Sequence, residues 1–184
     1  MAGANTTIAG LKDIYYALMT DSAAETYGKP VKIGHAISVS INPNTATKTI
    51  YGDNKAVATK SKLVDIDVSI SSTDIPFKDR AAMLGHTVNS DGSITIKGDD
   101  SPPYVALLFA ATSFEDTTQY YKFYKGKFTP NQQDFETERE DFNDNSPTLE
   151  GKFIARTTDG KIYDMVDSAE SGSSTVISSW FDSV

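Results

Sequence analysis

The chain contains no cysteine, so no disulfide can staple it and no thiolate can ligate zinc or serve as a nucleophile. It has only two histidines, His35 and His86, and neither has a partner at a spacing that suggests a catalytic triad. There is no Gly-x-Ser-x-Gly elbow, no Walker loop and no Gly-x-Gly-x-x-Gly turn to cradle a phosphate. No apolar run approaches the roughly 20 residues that span a bilayer. The opening MAGANTTIAG lacks both a basic n-region and an apolar core, so no signal peptide and no membrane association are expected. Positive charge is also short: 17 basic residues face 25 acidic ones, a net charge of −8. Such a surface repels phosphate and disfavours a groove that grips DNA, while suiting one that DNA must pass without sticking.

What is present is length and strand patterning. The 184 residues suffice for one domain with a real core. Residues 1–30 form an N-terminal arm and first element, readable as helix (Ile8, Leu11, Tyr15, Leu18) or as strand. Tyr27-Gly28-Lys29-Pro30 breaks the chain. Over 31–41 the odd positions are Val, Ile, His, Ile, Val and Ile, against small, mostly polar even positions. That predicts a half-buried strand. Residues 62–71 repeat the design, with Val64, Ile66, Val68 and Ile70 opposing Asp65, Asp67, Ser69 and Ser71. The stretch between, 42–61, is polar and is expected to be a long loop.

A short helix is predicted over 76–84, capped by Asp74, with Pro76 in its first turn and Gly85 closing it. Phe77, Ala81 and Leu84 would face inward. Asn89-Ser90-Asp91-Gly92 predicts a hairpin turn into Ile94-Thr95-Ile96. Residues 104–114 are continuously apolar and predict a strand buried on both faces. Residues 120–128 alternate aromatics with lysines expected to reach solvent or a neighbour. Strands are also expected over 134–142, 148–156 and 161–166, the last two joined through Asp159-Gly160. A polar tail from 167 ends in the apolar Val176, Ile177, Trp180 and Phe181. About eight strands and one firm helix predict a mainly β fold, a β-sandwich or open barrel over 31–166 with a C-terminal arm over 167–184.

The remaining candidates for chemistry are bland. His35 lies on the aliphatic face of its predicted strand and reads as a core or interface residue, and His86 as a charge at a helix end. Asp134, Glu136, Glu138 and Glu140 fall on one strand face, and Asp141 and Asp144 follow. Evenly spaced strand acids do not enclose an ion and the calcium-loop pattern is missing, so a solvated face is expected, with cation binding left open. No catalytic, cofactor-binding or metal-ligating residue is assigned, and no enzyme is expected.

Several segments together resemble the major tail proteins of siphophages infecting Gram-positive bacteria. They are Gly10-Leu11-Lys12-Asp13-Ile14-Tyr15-Tyr16-Ala17, the Tyr27-Gly28-Lys29-Pro30 break, Ile50-Tyr51-Gly52-Asp53-Asn54 and the helix ending at Gly85. Phe123-Tyr124-Lys125-Gly126-Lys127-Phe128, Pro147-Thr148-Leu149-Glu150-Gly151 and Trp180-Phe181 complete the likeness. It implies a β-sandwich-like subunit with a flanking helix whose strands join a ring barrel, and as partners further copies of itself, a tape measure protein, a tail terminator and distal tail or tip proteins. It further implies stacked, hexameric rings assembled in the host cytoplasm, residence in the virion tail, and viral DNA passing through unbound.

On that model the two strands over 31–41 and 62–71 pair as a lumen-forming hairpin. Lys32, Ser38, Ser40, Asp65, Asp67, Ser69 and Ser71 would face the bore. Tyr51, Asp53 and Lys55 in the long loop, with Trp180 and Phe181 at the end, are the candidates for contacts between subunits or rings. An alternative for Trp180-Phe181 is that it caps its own subunit. Alternatives for the whole are a carbohydrate- or protein-binding β-sandwich on a virion or cell surface, and the inner-tube protein of a contractile injection system.

Overall fold

A computed structural model describes residues 8–53, 55–114, 116–131 and 147–184. The predicted acidic strand over 134–142, with Asp144, lies outside the described residues. The chain forms β1 (Ile8–Asp21), β2 (Thr26–Tyr27), β3 (Val31–Lys32), β4 (Ala36–Gly52), β5 (Lys55–Ser72), α1 (Phe77–Leu84), β6 (Thr87–Val88) and β7 (Ile94–Thr95). After these come β8 (Val105–Ser113), β9 (Thr118–Thr129), β10 (Thr148–Ile154), β11 (Tyr163–Asp167) and α2 (Ser173–Ser178). The fold is mainly β, as the patterning predicts. One antiparallel sheet runs β2-β1-β8-β9-β10-β5-β4, with β3 also on β1 and β11 also on β9, and β6 and β7 form a separate hairpin.

The apolar run of β8 becomes a central strand because only burial on both faces removes it from water. Leu107 and Phe109 point into the main core, while Ala106 and Leu108 join a second cluster under Trp180. That central strand resolves the ambiguity of the first element. The segment pairs with β8 as a strand, and a bulge at Asp13, whose φ is 57°, absorbs a register shift. The strand β9 serves two partners in succession, β11 along Gln119–Phe123 and β10 along Lys125–Thr129. The sheet therefore curls over a core of Ile14, Ile66, Val68, Ile70, Phe123, Phe128 and Phe153, all at most 1% exposed. Gly126 is needed there: a Cβ on it would lie 2.4 Å from the Phe153 ring. The helix α1 lays Ala81, Met83 and Leu84 onto this core and ends at Gly85, whose φ of 75° suits glycine.

Several expectations are corrected. The strand predicted over 31–41 is broken: Val31–Lys32 pairs with β1, and the chain then crosses at Ile33–His35 to begin β4 beside β5. His35 is exposed, not in the core, and it is its carbonyl that works, accepting from Ser72 Oγ (2.8 Å) and the Thr73 amide (2.9 Å). Residues 42–61 are not a loop. Alternating Thr, Lys and Ala residues continue the ladder out to Gly52 and Lys55, because strand pairing needs a regular backbone partner and not an apolar face. Phe77 is 78% exposed, since it begins the helix beyond the edge of the core. Asp74 makes no side-chain cap; Pro76 holds that position. Finally, Lys122 and Lys125 are buried instead of reaching solvent, because the C-terminal tail and Glu25 cover them.

Candidate functional site

The longest ordered feature is the β4–β5 hairpin, and it divides into two halves. In the inner half, Ser38 faces Ser71, Ser40 faces Ser69, Asn42 faces Asp67 and Asn44 faces Asp65. Period-2 geometry puts all of these on one side of the sheet, since Ile66, Val68 and Ile70 between them are buried on the other. Next along the sheet, β10 adds Thr148, Glu150 and Lys152 in register with Ser71, Ser69 and Asp67. Six of the seven residues expected on a bore-facing surface thus share one polar face. Lys32 does not. It sits on β3 opposite Tyr15 and donates to Asp13 at 2.6 Å.

The acids on that face are not bare. Lys152 Nζ donates to Asp65 (3.0 Å) and lies 2.8 Å from Asp67 Oδ1. The Asn44 amide donates to both carboxylates, at 2.7 Å each. These contacts lower both carboxyls: the Asn44 bond and then Lys152 act on Asp65, and Lys152 and then Asn44 on Asp67. The same bonds, to Asp67 and then Asp65, raise the Lys152 ammonium. Both acids are therefore held as carboxylates, with one ammonium between two negative charges. Sequence reasoning missed Asn42, Asn44, Glu150 and Lys152. The polar alternation of Thr148, Glu150 and Lys152 was visible, but nothing local says that β10 lies beside β5.

The outer half is an arm. From Thr45 to Lys62 every side chain described is exposed except that of Thr49, which is half-buried. Thr47 meets Ser61 (3.0 Å) and Thr49 meets Thr59 (3.4 Å) through their hydroxyls on one face. On the other face Lys48 stands directly opposite Lys60, and Ala46 opposite Lys62. A like-charge pair across a ladder opposes pairing, and a two-stranded ribbon without a third layer is marginal in water. At the tip Tyr51 is 72% exposed and Val57 69%, and Asp53 turns the chain at a φ of 49°. The expected contact residues Tyr51, Asp53 and Lys55 are thus brought together there.

Trp180 and Phe181 lie elsewhere, against their own subunit. Trp180 is 5% exposed and joins Ala17, Ala106 and Leu108, its indole N–H donating to the Tyr121 carbonyl at 3.4 Å. Phe181 stacks on Tyr15 with ring centroids 4.6 Å apart. Lys122 lies 4.8 Å from the Trp180 ring and donates to the Ser183 carbonyl at 2.7 Å. The pair closes the second core cluster, because the outer face of β8 is apolar and would otherwise meet water.

Nothing in the described residues assembles reaction chemistry. No group of three or more His, Asp or Glu side chains could hold a metal ion among them. His86 Nδ1 lies 2.8 Å from Asp100 Oδ2, which also accepts from the Lys97 amide at 3.0 Å, tying the end of α1 to the segment before β8. Glu25, 4% exposed, accepts from buried Lys125, from the Thr157 and Thr158 amides (3.0 Å each) and from the Thr158 hydroxyl (2.7 Å). Burial alone would raise this carboxyl. The four donors overcome it and hold the group well below the usual carboxylate range.

The sheet's edges are a different matter. β4 pairs with β5 on one side and, among the described residues, with nothing on the other. A family model described as phage tail tube protein matches residues 37–177. No curated protein matches the chain.

Proposed function

Because this chain belongs to the phage tail tube protein family, a family of structural virion proteins and not of enzymes, we propose that it polymerises into stacked, hexameric rings that conduct the viral genome. The observation that carries this reading is the outer edge of β4, a strand of 17 residues that pairs with no strand on that side among the described residues. An unpaired edge that long invites addition of another strand, and a ring of copies satisfies it while leaving no edge over. In each subunit the aliphatic side of β5 packs on its own core, and the face of Ser38, Ser40, Asp65, Asp67, Ser69 and Ser71 turns to the bore. Short hydroxyl and amide side chains keep the passage wide. Two carboxylates to one ammonium deny DNA net ion pairing without leaving repelling acids unsupported.

The rings stack around a tape measure protein, begin on distal tail or tip proteins and end at a terminator, with assembly in the host cytoplasm. The arm over 45–62 reaches another copy. Three experiments test this. Negative-stain microscopy of the purified protein at rising concentration is expected to show rings of one diameter and stacks; discrete particles of fixed size would instead favour a binding module. Deleting residues 43–60 is expected to leave a folded monomer that makes no tubes, and intact tubes would refute the arm's role. For the bore, Asp65→Lys with Asp67→Lys gathers three lysines on one face and is expected to slow genome ejection from tubes that still form. Unchanged ejection kinetics would remove the bore assignment.

A further inference from the structure

A groove of about 430 Å³ opens beside α1, lined on its apolar side by Phe77, Ala81, Leu84, Ile94, Ile96 and Pro130, with Arg80, His86 and Asn131 as its polar members. Its apolar wall is unusually bare: Phe77 is 78% and Ile96 70% exposed. The arm's tip is exposed and apolar as well. Ile50, Tyr51 and Val57 are exposed by 58%, 72% and 69%, and the Tyr51 hydroxyl is a donor on an apolar ring.

The two features sit far apart on one molecule. The groove's Pro130 follows Thr129, which is level with Ser69 through Glu150. The tip at Lys55 lies fourteen residues farther along β5, on the order of 45 Å away at the rise of a strand. A tip cannot fold back into its own groove while the ladder stays intact. Charge points the same way. Residues 45–62 carry four lysines and one aspartate, whereas the rest of the chain carries 13 basic against 24 acidic residues. The arm is a cationic segment on an anionic body and is drawn to another body.

We infer that the Ile50/Tyr51/Val57 tip of one copy seats in the Phe77/Leu84/Ile96 groove of a second copy. The occupant is the same chain, and tip and socket are different surfaces. The contact is therefore heterologous and propagates from copy to copy instead of closing as a dimer. This rests on the tube reading and specifies which surface receives the arm.

The lack of cysteine makes a direct test available. Tyr51→Cys and Ile96→Cys are placed on separate copies, produced together and treated with a short bis-maleimide, with tubes monitored by negative stain. A two-chain product that requires both cysteines is expected, and one chain bearing both is expected to give a ladder of longer multimers. Tubes that form with both cysteines present and unlinked, or a link confined within one chain, would overturn the socket while leaving the tube standing. A wild-type chain that never assembles, alone or produced with the other tail proteins, would overturn the tube reading and this one with it. As a check that does not depend on linking, Ile96→Asp is expected to raise the concentration needed for tubes about tenfold with unchanged thermal unfolding. An unchanged threshold counts against the groove.

Discussion

The inner and outer halves of the β4–β5 hairpin share one ladder and one backbone geometry, yet they are stabilised differently. Along β5, residues 66, 68, 70 and 72 are buried and alternate with half-exposed partners, whereas every described side chain from 55 to 62 is exposed. The inner half is held by the core beneath it. The outer half has hydroxyl pairs and a Lys48–Lys60 opposition, and no layer beneath it among the described residues. A strand's regularity therefore says little about where its stability resides; the layer beneath decides. The body is built to stand alone, and the arm to be completed by something else.

That contrast can be broken most easily in the body. Phe153→Ala removes a fully buried ring from between Phe123 and Phe128 and is expected to cost about 4 kcal/mol in chemical denaturation; a loss below about 1 kcal/mol would mean the core is not where stability lies. Glu25→Gln comes next, at about 3 kcal/mol, because it leaves Lys125 buried without its counter-ion. Glu25 also makes the body pH-dependent. Its folded carboxyl is depressed, so its contribution is fully present above the ordinary carboxyl range, near pH 4.5, and is lost as pH falls through the lower folded value. Wild type is expected to lose stability on acidification below about pH 4.5, and Glu25→Gln to show a flatter profile over that window.

Smaller effects sharpen the comparison. Lys152→Ala frees Asp65 and Asp67 on an exposed face and is expected to leave the unfolding midpoint within error, while making genome passage measurably different in virions. The least effect is expected from Lys48→Glu, which turns the Lys48–Lys60 opposition into an attraction. Hydrogen exchange in residues 45–62 should slow about twofold, equivalent to roughly 0.4 kcal/mol, with no change in the body. A change that spread into the body would show that arm and body form one cooperative unit.

Much of this was readable in advance where local chemistry dictates the outcome. The apolar run of β8, the alternation of β5, the Gly85 helix end and the turn over 89–92 all follow from period and turn residues. That Ser38, Ser40, Asp65, Asp67, Ser69 and Ser71 share one face of the sheet follows from alternation alone. Lys32 lies off that face because the odd–even count is broken at Gly34, where the Asp74 carbonyl lies 2.1 Å from where a Cβ would be. Residues 42–61 looked like a loop because their polarity resembles that of a loop. A ribbon wet on both faces has no apolar period to betray it. Lys122 and Lys125 of β9 were misplaced since their covers, Ser183 and Glu25, are remote in sequence.

By itself the sequence determined the class of protein, its acidic character, the absence of thiol chemistry and the two-faced design of its longest strands. These are properties of composition and of period, and they hold whatever the neighbours are. Only the tertiary structure decided which strand lies beside which. It thereby placed Lys152 between Asp65 and Asp67, turned Trp180 inward onto β8, and set an apolar tip and an apolar groove at opposite ends of one body. Those outcomes depend on contacts between residues far apart along the chain, and no local pattern encodes them.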